Sequence, residues 1–168
     1  MTINNMQINI ENNLDALSLR ITEIFYSLQG ESSFVGLPTI FIRLTGCPLR
    51  CGYCDTAYAF KGGQNKSFTN ILANIKAYNT KYITITGGEP LAQKQSHDLM
   101  QHLSDLGYIL SIETSGALDI SKIDNRVKIV MDIKTPESKE SHKNMLSNLS
   151  YLKSNDEIKF VICSRSDY

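Results

Sequence analysis

The 168 residues suffice for one domain with a sizeable core, and they carry 17 basic and 17 acidic side chains, for no formal net charge. That balance excludes a chain held to nucleic acid by bulk electrostatics, and no apolar run approaches the ~20 residues of a membrane span. A hydrophobic content of 42% and a charged content of 20% are those of an ordinary soluble globular protein.

Residues 1–17 are polar and Asn-rich, which predicts a loosely held extension with no secretory signal, ahead of one domain over 18–168. RITEIFYSL (20–28) has strand composition. TIFIRLTG (39–46) is a firmer strand whose alternation puts Ile40, Ile42 and Leu44 in the core and Phe41, Arg43 and Thr45 on the other face. Residues 67–79 place Ile71, Leu72, Ile75 and Tyr78 at helical spacing behind Ser67 or Thr69 as N-cap. KYITIT (81–86) is a strand broken by GGEP. Residues 94–106 put Leu99, Met100, Leu103 and Leu106 on one helical face, and Gly107 stops the helix. YILSIET (108–114), VKIVMDI (127–133) and EIKFVIC (157–163) are strands, with a weak helix expected over 139–153. The chain ends on FVICSRSDY, just after a strand, which reads as a chain missing its last element.

Strands alternating with helices predict a parallel sheet with crossover helices. A closed eight-unit barrel needs ~250 residues, so the expected α/β architecture is a partial, incomplete TIM-type barrel with parallel strands. CPLRC, GGEP, ETSG and DIKTP each follow a strand's C-terminal end, so one edge carries one site fed by four loops.

Three of the four cysteines, Cys47, Cys51 and Cys54, crowd into GCPLRCGYCDTAY (46–58). In a cytoplasmic chain such clustering points to metal or redox chemistry rather than disulfides. A structural zinc site needs four ligands, usually in two close pairs, whereas here three come from one loop, and His97, His102 and His142 lie far downstream of it. All three histidines read as surface residues. A ferredoxin would need a fourth cysteine, and Cys163 reads as a buried strand thiol. The remaining reading is C-x3-C-x2-C: three thiolates on a 4Fe–4S cluster with one iron left open.

C-x3-C-x2-C with Tyr53 before the last cysteine, followed by a GGEP loop, resembles the radical S-adenosylmethionine (SAM) enzymes. LQGE (28–31), GLPTIFIRLTGCPLRCGYCDT (36–56), TGGEP (86–90), IETSG (112–116) and DIKTP (132–136) are similar to the 7-carboxy-7-deazaguanine synthase family, from about residue 20 onward. The resemblance implies a radical SAM core and the conversion of 6-carboxy-5,6,7,8-tetrahydropterin to 7-carboxy-7-deazaguanine with loss of ammonia, on the route to queuosine. It implies that Cys47, Cys51 and Cys54 hold the cluster. SAM would lie against Tyr53, Asp55, Gly88, Glu89, Asp132, Ile133 and Lys134, with Glu89 holding either the methionine ammonium or the loop itself. The pterin would meet Leu28, Gln29, Gly30, Glu31 and Thr86, and Arg43 would take its carboxylate in place of a salt bridge to Glu31 or Glu23. Thr56 would ligate Mg2+ with substrate oxygens and water completing the octahedron. A flavodoxin-type reductant and a homodimer are implied, with no direct nucleic acid and no membrane. Ser32, where many members have glycine, and Leu37, where many have arginine, depart from the pattern. A glycyl-radical activase and a non-catalytic iron–sulfur or zinc module remain as alternative readings.

Overall fold

The computed structural model describes residues 14–168. The extension expected over 1–17 falls almost wholly outside the described residues. Seven strands form one open sheet: β1 (Ser18–Leu28), β2 (Pro38–Leu44), β3 (Gln64–Ser67), β4 (Tyr82–Gly87), β5 (Ile109–Thr114), β6 (Lys128–Ile133) and β7 (Glu157–Phe160), in the order β3-β1-β2-β4-β5-β6-β7. From β2 to β7 every pairing is parallel, as expected of a partial barrel.

At the other end the sheet is antiparallel. β1 pairs with β2, Leu28 opposite Pro38, and β3 pairs with β1. The turn between Leu28 and Pro38 is too short for a crossover, so β2 can only double back on β1. This puts the LQGE turn at the opposite end of the sheet from the cysteine loop, because Pro38 begins β2 and Gly46 follows its end.

The outer face is covered by helices α1 (Phe68–Ile75) and α2 (Ser96–Asp105). The Ser67 side chain accepts from Asn70 N and caps α1. Phe68, Ile71, Leu72 and Ile75 of α1, and Leu99, Met100 and Leu103 of α2, join Ile40, Ile42, Leu44, Ile83, Ile85, Leu110, Ile112 and Ile129 in the core. Leu106 is 53% exposed and does not join them, because the helix ends at Asp105.

No α-helix forms over 139–153. Lys139 takes a left-handed conformation (φ 65°), and the segment folds as 3-10 turns at Ser141–Lys143 and Leu146–Tyr151. Its polar side chains bond to distant backbone instead. Asn144 accepts from Lys134 N and donates to Lys134 O, and Asn148 donates to Gly116 O and Leu118 O. Strand β7 stops at Phe160, so Cys163 is exposed rather than a buried strand thiol. His142 is exposed as expected, whereas His97 and His102 are half-buried along α2.

Candidate active site

The inner face of the parallel strands is polar where the outer face is apolar. Alternation turns Thr84 and Thr86 of β4, Ser111 and Glu113 of β5, and Asp132 of β6 away from the Ile-rich core. Of these, Thr86, Glu113 and Asp132 line a cavity of about 560 Å3 that also receives the cysteine loop, the GGEP loop, the ETSG loop and the LQGE turn.

Cys47, Cys51 and Cys54 all lie on this wall as free, partly buried thiols. Burial pushes the Cys47 and Cys51 thiols up from their ordinary range. The loop is tied at both ends. Gly46 N donates to Ala59 O at 2.8 Å, and Gly52 N donates to Ser138 O at 2.9 Å. The GGEP loop presses directly on it: Glu89 N donates to Gly46 O, and a Cβ on Gly88 would stand 2.2 Å from Gly46 O and 2.9 Å from Cys47 Cβ. Only glycine permits that approach.

Glu89 is fully buried and does not touch the cavity. Its carboxylate accepts from Leu91 N at 3.0 Å, from the Thr114 hydroxyl at 2.9 Å, from Ser115 N at 2.7 Å and from the Ser115 hydroxyl. Of the two roles expected for it, these bonds support holding the loop: it fastens GGEP to ETSG.

At the far end Gln29 is 4% exposed. Its amide donates to Thr84 Oγ1 at 3.0 Å and to Glu113 Oε1 at 3.3 Å, and accepts from Glu31 N. Arg43 Nε pairs with Glu23 Oε1 at 2.8 Å. Among the described residues this is the guanidinium's only hydrogen bond, so the fork keeps donors to offer to the cavity it lines. Asp132 pairs with Lys134 at 2.7 Å, and Lys134 also lies 5.5 Å from the Tyr53 ring centroid. Burial opposes the Lys134 charge, but Asp132 outweighs it and holds the ammonium above its ordinary pKa.

Residues 41–152 match the Radical SAM superfamily. Over 152 residues the chain is 45% identical to 7-carboxy-7-deazaguanine synthase of Koribacter versatilis, covering 89% of this chain and 67% of that protein. It is 39% identical to the synthase of Chlorobaculum tepidum, covering 89% of this chain and 70% of that one. The crystal structure of QueE from Escherichia coli superposes with a TM-score of 0.79 at 26% identity, over 93% of this chain and 77% of the other. The chain belongs to the 7-carboxy-7-deazaguanine synthase family of radical SAM enzymes.

The family implies a 4Fe–4S cluster and SAM, and the residues present fit both. Three free thiols share one wall, and glycines let the GGEP backbone lie against them. On that same wall Asp132 Oδ1 and Tyr53 Oη are buried with no hydrogen-bond partner among the described residues, as a polar ligand would require.

Most residues expected at the site of a 7-carboxy-7-deazaguanine synthase meet here. Gln29, Gly30, Glu31, Arg43, the three cysteines, Tyr53, Asp55, Thr56, Thr86, Gly88, Asp132 and Lys134 line the cavity. Leu28 is 64% exposed, and Leu28, Glu89 and Ile133 lie off the wall. Among the wall residues that escaped sequence reasoning, two are charged. Lys159 on β7 pairs with Glu31. Glu113 sits at the centre, accepting from Thr86 Oγ1 at 2.8 Å and from Gln29. The signal for Glu113 was available: it is the acid on the inward register of IETSG.

Burial pushes the Glu113 carboxyl above the ordinary glutamate range, against the lowering pull of the Thr86 hydroxyl. The folded chain therefore keeps this proton to higher pH than the unfolded chain. Its contribution to stability is complete below about pH 4 and is lost as pH rises through the folded value. Glu113→Gln removes that loss. The variant's urea midpoint, measured on cluster-free protein, is expected to gain on the parent as pH rises from about 4 towards neutrality. A difference that stays flat with pH would contradict the assignment.

Proposed function

We propose that this chain converts 6-carboxy-5,6,7,8-tetrahydropterin to 7-carboxy-7-deazaguanine, a lyase step that expels ammonia on the route to queuosine. The observation that carries the reading is the polarity of the cavity. Thiols line one end, Gln29 stands at the other, and Arg43, Glu113 and Thr86 lie between them. When bound, the cluster and SAM supply a 5′-deoxyadenosyl radical that abstracts hydrogen, which is chemistry no side chain here can perform.

The chain's own residues bind and orient. Arg43 takes the substrate carboxylate through the guanidinium nitrogens that Glu23 leaves free. Gln29, Gly30, Glu31 and Thr86 offer donors and acceptors to the pterin edge, with the main chain at Leu28 leading into that turn. Asp132, Lys134, Tyr53, Asp55 and Gly88 surround SAM, with Ile133 and Glu89 behind them. The Thr56 hydroxyl, which donates to Asp55 Oδ1 at 2.7 Å, keeps its oxygen lone pairs for Mg2+, and substrate and water complete the shell.

A cytoplasmic homodimer served by a flavodoxin-type reductant belongs to the same reading. Ile158 and Phe160 on edge strand β7 and Ile162 just past its end, each 44–56% exposed, favour a covering partner. No helix of the described residues is long and apolar enough to cross a membrane.

The test is an anaerobic assay of reconstituted protein with SAM, Mg2+, reductant and the tetrahydropterin, read by mass spectrometry. Product is expected from the parent. Arg43→Ala is expected to raise KM at least tenfold while 5′-deoxyadenosine is still released. Deoxyadenosine without deazaguanine from the parent would sink the substrate and favour an activase.

A further inference from the structure

The cysteine loop contains a cation that binds none of the proposed ligands. Arg50 lies between Cys47 and Cys51, and its side chain folds back onto the loop's own backbone. Arg50 Nη1 donates to Cys47 O at 2.7 Å and to Leu49 O at 2.6 Å. The guanidinium lies 4.3 Å from the Phe60 ring centroid. Phe60 is half-buried and lines the same cavity as the thiols. On the other side, Arg50 N donates to a carboxylate oxygen of Glu140, in the segment after β6. An exposed arginine with no task would wave in solvent, since fixing it forfeits rotamer freedom.

The turn it grips has its own purpose. Leu49 is 1% exposed, and its N–H donates to Cys47 Sγ at 3.4 Å. The two carbonyls that Arg50 holds flank that donor. Hydrogen bonds to cluster sulfur and the net charge nearby are the levers by which a protein sets a cluster's potential. Arg50 acts on both. It keeps the Leu49 N–H aimed at the sulfur, and it fixes a permanent positive charge beside the ligand loop.

We infer that Arg50 is a positioning residue that fixes the cysteine turn and raises the reduction potential of the cluster held there. The inference rests on the cluster, not on the pterin. The one-electron reduced cluster carries one more negative charge than the resting one, so a fixed cation favours it. Phe60 keeps that cation from drifting into water, where it would be screened.

The experiment is an EPR-monitored redox titration of reconstituted protein, with titanium(III) citrate supplying the electron, alongside iron per chain. R50A is expected to shift the midpoint to more negative potential and to lose iron faster on gel filtration. R50K keeps the charge without the two-carbonyl grip, and F60L keeps the arginine without its ring. Both are expected to fall between R50A and the parent, and they carry the test if R50A takes up no cluster. A midpoint unmoved in R50A, or in both R50K and F60L when R50A stays empty, overturns the proposal even if iron retention falls. A graded shift in chains that make no deazaguanine would uphold Arg50 and sink only the substrate.

Discussion

Replacing Cys51 by alanine is expected to leave a folded chain that retains no stable cluster and releases no 5′-deoxyadenosine above background. Three thiolates leave one iron of a 4Fe–4S cluster open for SAM; two leave a second iron without a protein ligand. No neighbour can substitute. Among the described residues no further cysteine faces the cavity, and Cys163 is exposed beyond the end of β7. Its N–H donates to Asp167, which pins it in the C-terminal turn. Cys163→Ala should therefore load iron and turn over like the parent, and the pair of variants separates ligand from bystander. The checks are iron and sulfide per chain, the visible charge-transfer band, and deoxyadenosine by chromatography. A Cys51→Ala chain with a full, SAM-responsive cluster would refute the ligand set.

Those three thiols were also the most legible part of the chain. Softness, spacing and the following GGEP name a chemistry before any fold is known, and the strand ends that carry the loops follow from alternation alone. The strand direction of β1 was not legible, because RITEIFYSL reads the same paired either way. Only the short turn to Pro38 makes it antiparallel, and that reversal brings Gln29 to the cavity from the far end. Strand β3, QNKS, is four polar residues on an edge and carries no hydrophobic period. The expected helix over 139–153 failed for a related reason. Its apolar residues Leu146, Leu149 and Tyr151 remain exposed, while Asn148 is the residue buried. Side-chain amides bonding to distant loops outweighed local propensity there. Lys159 was hidden because a lysine in EIKF looks like solvent face until β7 is known to be parallel to β6.

Glu89 is where a sequence motif and a structure assign different work, and its replacement should have the largest effect on stability. In GGEP the acid invites a role at the SAM ammonium. Here it has no exposed surface, and four donors from three residues converge on it. Glu89→Ala would strand two backbone N–H groups and two hydroxyls in a buried site. Each orphaned donor costs ~1–3 kcal/mol, and partial relaxation keeps the sum below strict addition. A loss of about 3–5 kcal/mol is the expected result, a large fraction of what an ordinary domain has. Glu89→Gln should recover little, because its amide N–H2 would face donors rather than acceptors. Urea unfolding of the cluster-free chain measures this without any cofactor. If Glu89→Ala unfolds like the parent but loses SAM affinity, the carboxylate serves the ligand. If it unfolds early, GGEP is held against the thiols by a buried acid that SAM never touches.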